Sequence, residues 1–255
     1  MAEYGSVRRA GAGVRTAEID AGLRAHMNSV YGLMSVAMAI TGAVAYVIGT
    51  DMALAFNNEP TMLLSYGVIE AMLTSPLRYI IMFAPLAVVI LFSATINRLS
   101  KTAAQGVFFL FAALMGLSIS WIFILYTDMS IAQTFMVTAI AFAGLSLWGY
   151  TTKKDISGWG SFLIMGVIGL IVASIVNIWI GSSALQFAVS AIGLLIFAGL
   201  TAYDTQKIKT TYLQMVNVEG GQEWLAKGAI MGALSLYLDF INMFMFLLHF
   251  LGNRN

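Results

Sequence analysis

Two aspartates sit where an apolar chain should not tolerate charge. Asp239 lies in LSLYLDFIN (234–242) and Asp204 in TAYDTQKIK (201–209), each in or at the end of a long hydrophobic run. An Asp at the centre of a membrane helix costs about 2.5–3.5 kcal/mol on insertion scales. Asp239 should therefore face a bundle interior or water, and it should have a partner. Ser235, Asp239, Asn242, Phe246 and His249 follow at steps of four, three, four and three, which puts them on one stripe of a helix. The natural partner is Asp204, with Thr201 one turn before it. Two carboxyls meeting in a poorly solvated site repel when both are ionised, so the pair should share one proton and titrate in coupled steps. With the proton on, the pair is closed and nearly neutral. With it off, the two charges favour separation of the helices or capture of a cation, and calcium suits hard oxygen ligands.

Other chemistries lack their residues. There is no cysteine and there are only two histidines, far apart, which leaves no thiolate site and argues against zinc. Neither a Gly-x-x-x-x-Gly-Lys phosphate loop nor a Gly-x-Ser-x-Gly elbow is present. A net charge of +1 supplies no field for nucleic acid. The 16 methionines read as adaptable packing.

The elements that must hold the aspartates are membrane helices. Of 255 residues 60% are hydrophobic and only 10% charged, against about 25% charged in a soluble domain. Seven segments are long and apolar enough to cross the hydrocarbon: 29–49, 79–97, 106–126, 131–150, 162–181, 184–204 and 228–251. They run without the alternation of barrel strands, so helices are expected. The fold class is an all-α integral membrane protein, a single seven-transmembrane-helix bundle over 29–251. A polar tail (1–28) precedes it and a short tail (252–255) follows. The tail has no apolar core followed by a cleavage site, so the first span is expected to be an uncleaved anchor. The piece 61–75 is short and contains Glu70; with Met62, Tyr66, Ile69 and Leu73 on one face, it reads as a helix lying in the interface. Ala112, Gly116 and Ser120 recur every four residues, a spacing that lets helices approach closely in lipid. Pro85 should weaken one backbone hydrogen bond of the second span.

Orientation follows from the basic residues. With the N-terminus inside, all but Arg78 and Arg254 of the 13 Lys and Arg fall on the inner side. Asp204 then sits at the inner end of its span, while Asp239 lies about 16 Å into the next at 1.5 Å per residue. A meeting of the two requires either that the sixth helix continue inward past Asp204, through Ile208, or that a water-filled vestibule open from the inner side.

The two acidic motifs, together with YGLMSVAMAITGAV (31–44) and WGYTTKKDISGWG (148–160), closely resemble the signatures of the Bax inhibitor family, the transmembrane Bax inhibitor motif proteins, in its bacterial inner-membrane branch. The resemblance spans essentially the whole chain. It implies a seven-helix bundle with the last helix central, and a pH-sensitive calcium leak governed by an aspartyl pair, here Asp204 and Asp239. Calcium is then cargo rather than cofactor, and the pair its ligands. Family members can latch the sixth-span Asp with an Arg at the inner end of the second span, for which Arg98 is the nearest residue. Thr201, Ser235 and Asn242 would line the path for ion or water. Pro85 stands near where some relatives carry an intramembrane acid, a departure that puts any second calcium route in doubt. Membrane lipid, protons and calcium are the expected partners.

Two other readings compete. A non-conducting regulator would bind another membrane protein, such as a quality-control protease or a stress factor, with the N-terminal tail as its arm. An intramembrane aspartyl protease also places one Asp in a Tyr-Asp pair, but its second motif is Gly-x-Gly-Asp, whereas Asp239 follows Leu-Tyr-Leu. A protease of that kind also needs a later Pro-Ala-Leu loop, and the only prolines are Pro60, Pro76 and Pro85. No enzyme activity is expected.

Overall fold

A computed structural model describes residues 2–255, with side chains described from Glu18 onward. Arg8, Arg9, Arg15 and any partner-binding role of the first 17 side chains therefore lie outside the described residues. The helices are α1 (Ala2–Phe56), α2 (Tyr66–Thr74), α3 (Leu77–Thr95), α4 (Lys101–Ile119), α5 (Ile122–Leu125), α6 (Asp128–Thr151), α7 (Trp159–Ile180), α8 (Ser183–Met215) and α9 (Gly221–Leu251). Seven stretches of them are long and apolar enough to span a membrane.

Local chemistry explains where the helices start and stop. Ser100, Thr127 and Ser182 each accept a hydrogen bond from the backbone N–H three residues on, capping α4, α6 and α8. Gly181 closes α7 in the left-handed region, at φ +64°. The turn between α8 and α9 depends on two glycines. Gly220 has φ +75°, and a Cβ on Gly221 would lie 2.2 Å from the Met215 carbonyl. That tight turn folds α8 and α9 into an antiparallel hairpin.

The last helix is the centre of the bundle. In its most apolar stretch 61% of residues are buried, against 39% for the next most enclosed span. It packs on α1, α4, α6 and α8. Tyr237 is fully buried on it, edge-on to Phe108 and Phe111, and its hydroxyl lies 2.7 Å from Thr41 Oγ1. Thr41 Oγ1 is also 2.8 Å from the Ala112 carbonyl, so one hydroxyl pair ties α1, α4 and α9. The expected small-residue seam lies in the same place. A Cβ on Gly116 would meet the Thr41 carbonyl at 2.5 Å.

Two expectations need correction, and one left open is decided. The third span is not continuous: it breaks after α4, where Ser120 turns its hydroxyl onto the Leu117 carbonyl, and resumes as the short α5. In 61–75 only Tyr66–Thr74 is helical, and the buried face is Ile69 and Met72, while Met62 and Tyr66 are exposed. Of the two routes left open, the sixth helix takes the first and runs on to Met215, well past its apolar stretch. The reason is a continued stripe: Thr201, Thr205, Ile208 and Tyr212, spaced four, three and four, are all buried.

Candidate functional site

The α8–α9 hairpin sets the register of the two aspartates. A Cβ on Gly232 would touch Ile208, Thr201 Oγ1 lies 3.4 Å from Met243 Sδ, and the Phe246 ring packs over Gly193. The first two contacts bracket Asp204 on α8 and Asp239 on α9, so the carboxyls lie at matching heights on facing helices. The contacts on either side of them, rather than any hydrogen bond between the two, set this pairing. Of the two routes to a meeting, the helix does continue inward past Asp204. A cavity of about 310 Å³ also opens beside it, lined by Asp204, Lys207, Ser235, Gly232, His26 and Asn97 among others.

The two carboxyls differ in surroundings. Asp239 is 4% exposed, and its Oδ2 has no hydrogen-bond partner among the described residues. Asp204 is half-buried and lines the cavity together with Lys207, three residues along α8. An orphaned buried carboxyl oxygen is costly if ionised. Protonation removes that cost, and so does an opposite charge brought close.

The other sequence-nominated residues fall into two groups. Ser235 is brought to the cavity with Asp204. Thr201 is fully buried and donates to the Phe197 carbonyl at 2.9 Å, and Asn242 donates through Nδ2 to the Leu238 carbonyl at 2.8 Å. Both are thus occupied with their own helix backbones. Arg98 ends a 3₁₀ turn, Ile96–Arg98, and is exposed; its neighbours Ile96 and Asn97 line the cavity and Arg98 does not. His249 is half-buried near the far end of α9, beside the Phe250 ring.

Sequence reasoning missed three participants. Lys207 was legible only as a water boundary, although its three-residue spacing from Asp204 puts both on one face. His26 enters the cavity from α1 and stacks near Tyr212 at 5.1 Å between ring centroids, a non-local contact without a sequence signal. A buried hydroxyl relay backs the site: Tyr31 to Ser146 at 2.6 Å, Ser146 to Thr205 at 2.9 Å, and Thr205 donating to the Thr201 carbonyl at 2.7 Å. Among the described residues no three His, Asp or Glu side chains converge as a metal cluster. A calcium ion, which takes 6–8 oxygens, would meet two carboxylates and would draw its other oxygens from water.

Comparison with known proteins agrees along nearly the full length. The family model described as Inhibitor of apoptosis-promoting Bax1 matches residues 23–255. Inner membrane protein YbhL of Escherichia coli strain K12 is 45% identical over 235 residues, covering 92% of this chain and 94% of that protein. An uncharacterized protein of Caulobacter vibrioides is 43% identical over 236 residues, covering 92% and 91%. An uncharacterized membrane protein of Streptococcus pyogenes is 32% identical over 240 residues, covering 92% and 96%.

Proposed function

Given that the chain belongs to the Bax inhibitor family, we propose that it is a multi-pass inner-membrane protein that leaks calcium under the control of a proton shared by Asp204 and Asp239. The observation that carries this reading is the buried, unpartnered Oδ2 of Asp239 facing a helix whose own carboxyl opens onto a cavity. With the proton bound, α8 and α9 stay packed and the central helix plugs the bundle. Loss of the proton leaves two repelling charges on facing helices. The hairpin then loosens at this level, or a divalent cation enters to neutralise both. Calcium is the cargo, met by two carboxylates with Ser235 beside them, and it passes on because no third acid holds it.

In this reading the cavity opens on the cytoplasmic side with the N-terminus, and the positive-inside rule supports it, since Arg24, Lys101, Lys153, Lys154, Lys207 and Lys209 fall on that side of their spans. Lys207 offsets the charge of Asp204 in the state described. Arg98 acts as a latch only after a swing of the Ile96–Arg98 turn toward the cavity.

The test is calcium flux in proteoliposomes across pH for wild type, Asp204→Asn and Asp239→Asn. Wild-type flux should rise as pH rises through the pair's titration. Each Asn variant should flatten that response, because a single carboxyl cannot share a proton with an amide in the same way. Wild-type flux indifferent to pH, or an unchanged profile in both variants, would refute the mechanism.

A further inference from the structure

A second cavity, of about 840 Å³, lies at the same end of the bundle and has a different character. Four ammonium groups line it: Lys153 and Lys154 from the α6–α7 connection, Lys207 and Lys209 from α8. Its one acidic lining residue is Asp155, whose carboxylate already accepts the Ser157 N–H at 2.9 Å. The Ser157 backbone and hydroxyl hold that carboxyl below its ordinary range, so it stays charged and turned to its own loop. Among the described residues the only ion pair is Lys227–Glu223, outside this cleft. Four lysines therefore line one cleft, and among the described residues none of them forms an ion pair.

The cleft is a built feature. Gln206 on α8 donates to the Lys154 carbonyl at 2.8 Å and accepts from the Ile156 N–H at 2.9 Å. Ile156 is 2% exposed and pins the loop to the bundle. Lys209 is fixed over the end of α6 by donating to the Tyr150 carbonyl at 2.7 Å. Like charges gathered against a fixed wall raise each other's free energy, and an anionic phosphate relieves that cost, most of all where an apolar anchor holds it at the membrane boundary. The site also stands at a membrane boundary: the Trp148 and Trp159 rings stack 6.1 Å apart at the facing ends of α6 and α7, both exposed, as interfacial aromatics are.

We infer that this cleft binds the phosphate-bearing headgroup of an anionic phospholipid. Basic pockets between membrane helices at the boundary suit such headgroups. The exposed apolar side chains of Leu147 and Phe162 near the same end leave a surface for acyl chains. The assignment does not depend on calcium conduction, because binding is measured without flux.

The full-length protein in neutral detergent is titrated with short-chain phosphatidylglycerol, short-chain phosphatidylcholine or inorganic pyrophosphate, with thermal melting as the readout. Phosphatidylglycerol should raise the melting temperature and the other two should not. Each lysine near the headgroup contributes about fivefold, so K153Q/K154Q should weaken the apparent affinity about 30-fold. The control R24Q/K101Q removes the same charge at the same end but outside the cleft, and it should bind as wild type. Both variants should melt like wild type without lipid; if K153Q/K154Q does not, Lys153→Gln alone replaces it, with about fivefold weaker binding expected. Equal shifts from phosphatidylcholine, equal weakening in the control, or undiminished binding in the cleft variant would each overturn the site. A pyrophosphate response matching phosphatidylglycerol would overturn the lipid as its source.

Discussion

The closest backbone approach beside the aspartyl pair lies between α6 and α8, and one methyl group tests it. A Cβ built on Gly149 falls 2.3 Å from the Ala202 carbonyl oxygen and 3.0 Å from two further backbone atoms. Backbone cannot rotate away as a flexible side chain can. To restore ordinary contact at 3.4 Å, the helices must part by about 1.1 Å, the difference of the two distances. The Ser146–Thr205 hydrogen bond, one turn along at 2.9 Å, then opens to about 4 Å and is lost. Overpacking costs about 1–3 kcal/mol. The lost buried bond adds about 0.5–1.5 kcal/mol, and the better helix propensity of alanine returns up to about 1 kcal/mol. Gly149→Ala should thus lose about 0.5–4.5 kcal/mol net, or roughly 1–18 °C in melting temperature for a chain of this size. Gly144, on the same helix, has nothing within 4 Å of its Cβ position. Gly144→Ala should be neutral or stabilising, so the comparison cancels any general effect of removing a helical glycine. Thermal melts in one detergent measure both. Gly149→Ala melting at or above Gly144→Ala would refute the packing and the placement of α8 against α6.

Other predictions follow from the buried polar groups. Thr41 has one hydroxyl proton and donates it to a backbone carbonyl, so Tyr237 must donate to Thr41 across the 2.7 Å contact. Tyr237→Phe should cost about 1 kcal/mol, and Tyr237→Ala about 3–5 kcal/mol; equal melts for wild type and the Phe variant would show that the hydroxyls do not pair. At the opposite end Asp51, 1% exposed, accepts the backbone N–H groups of Met62, Leu63 and Leu64 at 2.7, 2.8 and 2.6 Å. Asp51→Asn turns one acceptor into a donor facing an N–H, and should cost about 1.5–3 kcal/mol. Amide exchange at 62–64 should quicken in that variant, and unchanged protection there would count against the clasp.

What could be read in advance, and what could not, divides along physical lines. The seven apolar runs were legible because lipid leaves a chain few ways to satisfy its backbone. The α9 stripe was legible because an isolated carboxyl must be sheltered. The inward extension of α8 was written in the sequence as Thr201, Thr205, Ile208 and Tyr212, yet hydropathy hides it, because the segment past Lys207 is too polar to count as a span. The break after α4 depends on Ser120 taking its own helix carbonyl, and the Asp51 clasp on a loop folding back 11 to 13 residues. Neither has a local period. Arg98 drew attention as the nearest inner arginine, but the short turn that carries it points Asn97 into the cavity instead.

The register between α8 and α9 connects these parts. A slip of one helical turn moves a residue by about 5.4 Å, enough to carry Asp239 away from Asp204 and against Ile208 or Thr201. At either position the carboxyl would stay buried and would lose its one charged counterpart. Opposing that slip are the short turn at Gly220–Gly221 and the close contacts of Gly232 with Ile208 and Gly193 with Phe246. Those glycines lie two or more helical turns from the aspartates and carry no chemistry of their own. They fix the height at which two acids face each other, and so they decide whether the costly residue on the most enclosed helix is a defect or a site.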